Sequence, residues 1–128
     1  MTAHPSRWWR RRREGAHDAA PLVALAEAMT ERDAAAIRRL LDPDVTMTID
    51  SGPLELGGEL RGHDAAAVEL LTYPSDLAVV SINGAPGIVG RRDDRVVATI
   101  SASVRHGRIV TLWSVRNPEK LRGWDDRS

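Results

Sequence analysis

Asp50 is the carboxylate in this sequence best placed to do chemistry. It closes an alternating run, Val45 to Asp50, on the side shared with Thr46 and Thr48, and a Gly- and Pro-containing segment follows it. A carboxylate at the edge of an apolar cavity holds its proton more tightly than in water, which suits a general base. The plainer role is a turn aspartate that accepts hydrogen bonds from its own loop backbone. His63, just ahead of a helical stretch, is a candidate acid–base partner or a solvated cap neighbour. Arg61 lies close by in sequence. If it reached Asp50 it would lower the carboxylate pKa and make a structural latch. Asn83 can donate to a ligand carbonyl, although an Asn-Gly turn needs no function to explain it. Trp113 falls by strict alternation on the same side as Ile109, Thr111 and Val115. It is a candidate for lining a pocket or an interface, with a core position as the alternative.

Other chemistries are excluded or unsupported. The chain has no cysteine, so disulfides and cysteine–zinc sites are ruled out. Its histidines, His4, His17, His63 and His106, include no pair at metal-ligand spacing, and no metal or cofactor is expected. There is no phosphate loop, dinucleotide fingerprint or nucleophile–base–orienter arrangement.

The elements that must position these residues can be read from periodicity. Asp18 can cap a helix with Pro21 in its first turn and Leu22, Leu25, Ala26 and Met29 on one face. Asp33 can cap a second, carrying Ile37, Leu40 and Leu41, which Asp42-Pro43-Asp44 ends. The strand Val45 to Asp50 follows, then a loop or ragged hairpin from Ser51 to Gly58. A third helix starts near His63-Asp64, carries Val68 and Leu71, and stops at Pro74. Everything after that has period two. Strands run over Leu77 to Ile82, Ile88 to Arg92, Arg95 to Arg105 and Arg108 to Arg116, with turns at Asn83-Gly84, Asp93-Asp94 and His106-Gly107. In the long third strand of this set, Val96, Ala98, Ile100, Ala102 and Val104 fall on one side and Val97, Thr99, Ser101 and Ser103 on the other. Helices first and hairpin-linked strands later define an α+β class with a mostly antiparallel sheet.

With 128 residues the chain suits one domain. Phe is absent and there are only four Trp and one Tyr, so the core must be aliphatic. Residues 1–17 read as a disordered basic arm and residues 18–128 as the folded domain. The arm holds Arg7, Arg10, Arg11, Arg12 and Arg13 against one acid, Glu14. Removing it takes 18 bases to 13 and 18 acids to 17, a net charge of about −4 for the remainder. Nucleic-acid binding by the domain body is therefore disfavoured. Any such binding is a weak contribution of the arm, where Trp8 and Trp9 sit among the arginines. The arm's plainer reading is a dispensable tail. No apolar run reaches the length of a membrane span and no apolar stretch follows the N-terminal arginines, so a cytoplasmic location is expected.

The segment from Ile82 to Gly123 resembles the SnoaL-like C-terminal domain of certain bacterial extracytoplasmic-function sigma factors. It carries Asn83-Gly84-Ala85-Pro86-Gly87, an aspartate turn before a Val-rich strand at Asp93 to Val97, and Val115-Arg116-Asn117-Pro118-Glu119-Lys120-Leu121. Arg61-Gly62 also fits, and the likeness extends over roughly Leu22 to Gly123. It implies the nuclear-transport-factor-2-like fold: a cone-shaped curved sheet packed on three N-terminal helices, its mouth a pocket. Two features depart from those relatives. The promoter- and polymerase-binding regions are absent, and the relatives' Asp-Gly-Gly-Gly-Lys is here Asp50-Ser51-Gly52-Pro53-Leu54, without the lysine. The resemblance implies a small-molecule-binding or regulatory domain, free-standing or a fragment, that takes a small hydrophobic ligand and dimerises through its sheet. The alternatives are a small pocket enzyme (isomerase, cyclase or hydrolase) with Asp50 as base, and a plain dimerisation module.

Overall fold

The computed structural model describes residues 18–52 and 57–126. The basic arm, residues 1–17, and positions 53–56, where the relatives' lysine would fall, lie outside these. The elements are α1 (Ala20–Thr30), α2 (Ala34–Leu40), β1 (Leu41–Asp50), β2 (Gly58–Arg61), α3 (His63–Leu70), β3 (Asp76–Ile82), β4 (Ala85–Arg92), β5 (Arg95–Arg105), β6 (Arg108–Val115) and α4 (Pro118–Asp126).

The helix starts follow the sequence signals. Pro21 occupies the first turn of α1 as expected, but the N-cap is Ala19 and not Asp18, whose Oδ1 accepts from the Ala20 N–H at 2.9 Å in a local turn ahead of the helix. Asp33 caps α2 by accepting from Ala36 N–H at 3.1 Å. In α1, Leu22, Leu25, Ala26 and Met29 are buried as the period requires. The third helix corrects the expected face. Its buried residues are Ala66, Ala67 and Leu70, while Val68 is 68% exposed. Small alanines let α3 approach β1 closely, and a Val on that face would hold it away.

One six-stranded sheet has the order β2-β1-β6-β5-β4-β3. All pairings are antiparallel except β1 with β6, which is parallel. Each of the three tight turns has positive φ at both central residues: Asn83 and Gly84, Asp93 and Asp94, His106 and Gly107. That is the type I′ geometry whose twist matches the flanking strands, and Asn, Asp, His and Gly tolerate it best. The ragged segment after Asp50 returns as β2, which pairs Thr48 with Glu59 and Thr46 with Arg61.

The sheet has two unequal faces. The inner face carries Val45, Met47, Leu112, Ile100, Ala98 and Ile88 against α1, α2 and α3, and this is the main core. The outer face carries Thr48, Trp113 and Ser101 in one register row and Asp50, Val115 and Thr99 in the next. Two register shifts overturn strict alternation. Between Gly90/Arg91 and Val96/Ala98, β5 takes up one extra residue, so Val96 leaves the row of Ala98, Ile100 and Ala102. It joins a small outer cluster with Val89 and Leu121. Between Ile109 and Thr111 the same happens in β6, so Ile109 is fully buried while Trp113 points outward at 47% exposure. Trp113 thus does not share a side with Ile109, and the core reading for it is excluded.

A fourth helix, α4, follows β6, one more than the three N-terminal helices expected. Asn117 Oδ1 accepts from Glu119 N–H at 3.1 Å, and its carbonyl accepts from the N–H groups of Lys120 and Leu121. Pro118 stands at the first helical position, where its missing N–H costs nothing. Leu121 and Trp124 then pack on Val89, Val96, Val80 and Val115 of the outer face.

Candidate functional site

The five predicted site residues do not converge. Asp50 ends β1 on the outer face, the side away from α1, α2 and α3. Its carboxylate accepts from Lys120 Nζ of α4 at 2.6 Å and from Gly52 N–H at 3.1 Å. The Lys120 hydrogen bond first, and the Gly52 N–H second, hold its pKa below the ordinary 3.8. The expected rise is therefore reversed, because burial is outweighed by these donors. The partner is Lys120, not Arg61, whose side chain is exposed on β2. His63 opens α3, lies beside Leu41 and Pro43 at the start of β1, and bonds Asp64 Oδ1 at 3.1 Å. About six strand residues at roughly 3.3 Å each separate that end of β1 from Asp50, so the two cannot share a substrate atom. Asn83 is an exposed turn residue, and Trp113 is on the outer face.

The Asp50–Lys120 pair ties α4 to β1 across the sheet's outer face. Because the folded pKa of Asp50 lies below its unfolded value, the stabilisation is present above the ordinary carboxylate range. It is lost as pH falls through the lowered folded value. Asp50→Asn is expected to flatten the acid limb of the stability curve and to leave neutral-pH secondary structure intact. Urea midpoints from pH 6 downward check this, and an acid limb identical to wild type would refute the pairing.

The inner face holds a polar cluster that sequence reading missed. Tyr73, buried just before Pro74, hydrogen bonds through its hydroxyl to Ser114 Oγ of β6, itself 2% exposed. Burial pushes the Tyr73 pKa up to about 12. Arg116 lies over the Tyr73 ring at 4.9 Å and donates to Glu69 Oε2 of α3 at 3.1 Å. Each member is satisfied by another, so the cluster closes this end of the core and offers no unengaged base.

A cleft lies elsewhere, between the start of α1 and the β4–β5 strands. It has a volume of about 430 Å³, with Pro21, Leu22, Ala85, Pro86, Ala102 and Val104 on its walls. Asp18 and Ser103 stand at it as polar groups. Small residues at 85 and 102 leave this space open. Its size falls within the range of about 300–1,000 Å³ usual for small-molecule pockets. Asn83 sits at the tip of the neighbouring turn but is not a wall residue. Among the described residues, no group of three or more His, Asp or Glu is arranged to hold a metal ion.

Helices packed on the concave side of a bent, mostly antiparallel sheet, with β1 parallel to β6, constitute the nuclear-transport-factor-2-like fold. Solved structures of that type match the chain. The nuclear-transport-factor-2-like protein of unknown function from Burkholderia xenovorans LB400 superposes with a TM-score of 0.58 at 17% identity, over 84% of this chain and 89% of that one. A putative ketosteroid isomerase from Kribbella flavida matches with a TM-score of 0.54 at 16% identity, over 76% and 75%. The Mycobacterium tuberculosis extracytoplasmic function sigma factor SigJ matches with a TM-score of 0.62 at 26% identity, over 81% of this chain. The match takes in 44% of SigJ, so this chain corresponds to less than half of that protein. No family model matches the sequence, and no curated protein matches it. No helix among the described residues is long and apolar enough to cross a membrane.

Proposed function

We propose that this chain is a non-catalytic small-molecule-binding domain of the SnoaL-like type, serving a regulatory role akin to the one its sigma-factor resemblance implies. The single observation that carries this reading is the cleft of about 430 Å³ beside α1, lined by both apolar and polar groups. The likeness to SigJ supports the regulatory part. The enzyme alternative loses its base, since Asp50 faces outward and is paired with Lys120. A neutral compound with a compact apolar body fits the walls. Screening neutral aromatic and alicyclic compounds by thermal shift tests the reading. A ligand at about one hundred times its Kd stabilises by about 2.7 kcal/mol, which raises the midpoint by several degrees. Ala102→Leu, which fills the cleft, is expected to remove that shift. A shift that survives Ala102→Leu, or a screen with no hit at millimolar concentration, would count against the reading.

The same reading makes the domain a homodimer through its outer face. Thr48, Trp113 and Ser101 stand side by side across β1, β6 and β5, with Thr46, Thr111 and Ser103 in the neighbouring row. Small side chains around one exposed indole form a surface flat enough for a second sheet, and Trp is the residue type most often dominant at such contacts. Light scattering at micromolar concentration is expected to give a dimer, and Trp113→Glu a monomer. A monomeric wild type would dismiss the interface.

A further inference from the structure

A second groove lies on the outer face, away from the cleft beside α1. It runs between the start of β5 and the first turns of α4 and has a volume of about 470 Å³. Its floor is apolar: Val96 and Val97 from the strand, Pro118 and Leu121 from the helix. Its charged walls are all of one sign, Arg95, Arg116 and Arg122, and no carboxylate is among its described wall residues. Arg95 and Arg122 supply its positive charge. Glu69 already engages Arg116 at 3.1 Å. The side chains of Arg95 and Arg122 carry no ion pair or hydrogen bond among the described residues, so their donors stay available.

Two features described above shape the groove. The extra residue in β5 turns Val96 onto the outer face and places Val97 beside it. Bulges of this kind re-aim side chains and are common beside binding sites. The Asp50–Lys120 pair then holds α4 across the strand ends, so that Leu121 and Arg122 form the opposite wall. We propose that this groove binds a small amphipathic anion. Its carboxylate meets the guanidinium groups of Arg95 and Arg122, and its hydrocarbon body lies on Val96, Val97 and Leu121. Guanidinium matches a carboxylate in bidentate geometry, and the apolar floor is what distinguishes such a ligand from a bare inorganic anion.

The probe is decanoate, titrated into the full chain below its micellar concentration and followed by calorimetry. Decanol supplies the same tail without charge, acetate the charge without the tail, and an oligo-glutamate peptide the charge on a polymer. Decanoate is expected to bind saturably at one site per chain. Arg95→Gln with Arg122→Gln should weaken it about tenfold or more, as losing one ion-paired hydrogen bond of about 1.4 kcal/mol would. Ala102→Leu, which fills the other cleft, should leave it unchanged. The proposal is overturned if decanol binds as well as decanoate, or if the double Gln variant binds normally. It also falls if acetate or the peptide binds as tightly, or if decanoate does not bind at all. Loss of decanoate binding in Ala102→Leu would move the ligand to the cleft beside α1 and overturn the groove while leaving that cleft's role intact.

Discussion

Gly87→Val is expected to leave no folded protein, and Gly87→Ala to lose about 2 kcal/mol of stability. A Cβ at position 87 would stand 2.9 Å from the carbonyl oxygen of Ile100 on the neighbouring strand, and nearer still to the Ile82 side chain. The Ile82 methyl can rotate away. The carbonyl cannot, because it belongs to the backbone of β5, and Ile100 pairs with Ile88 next to Gly87 in the β4–β5 ladder. Relief therefore requires parting β4 from β5 at the centre of the core, where Ile88 and Ile100 are both fully buried. A domain of this size has only about 5–15 kcal/mol in hand, and a β-branched residue would use most of it. Urea unfolding followed by circular dichroism measures the alanine variant. A change of less than about 0.5 kcal/mol, the size of an ordinary surface substitution, would mean that the strands yield freely.

The second large effect belongs to Tyr73, the only tyrosine in the chain. Its hydroxyl is expected to resist ionisation until about pH 12. In the unfolded chain it ionises near 10.0. The folded value lies above the unfolded one, so this contribution is complete below pH 10 and disappears as pH climbs from 10 through 12. Two units correspond to about 2.7 kcal/mol at most. Tyrosinate absorbance reports this one residue without interference. Its rise is expected to coincide with loss of tertiary structure, because burial first and the neighbouring Glu69 second disfavour the anion in the folded chain. Tyr73→Phe should abolish the alkaline slope. It should also cost about 1–3 kcal/mol at neutral pH, since Ser114 Oγ loses its buried partner. Ionisation near pH 10 in a still-folded protein would show that the hydroxyl reaches solvent.

Most of the fold was legible because its signals are local. Pro21 and Asp33 announce helix starts, and the three two-residue turns announce the hairpins. What stayed hidden depends on partners far along the chain. Strict alternation put Val96 and Ile109 on the wrong sides, because a bulge is a property of two strands together. The α4 start is written in Asn117-Pro118, an N-cap followed by proline, although proline after a strand equally marks a plain strand end. Asp50 stood out by residue type, whereas its partner Lys120 is 70 residues away. Tyr73, Glu69, Ser114 and Arg116 gave no common signal at all. They lie on two elements and two connections that only the packed sheet brings together.

The parallel seam between β1 and β6 also governs when the molecule can become itself. Residues 41–50 find their central neighbour only in residues 109–115. A nascent chain that has emerged as far as β5 can fold the β3–β4–β5 meander, but β1 and β2 have nothing to join. The three early helices then have no complete concave surface to cover. Closing so long a loop costs entropy before any contact rewards it, which slows folding and favours an all-or-none transition. Synthesis must therefore pass β6 before protection begins. A ribosome stalled short of that strand would display a protease-sensitive segment in place of a half-built domain.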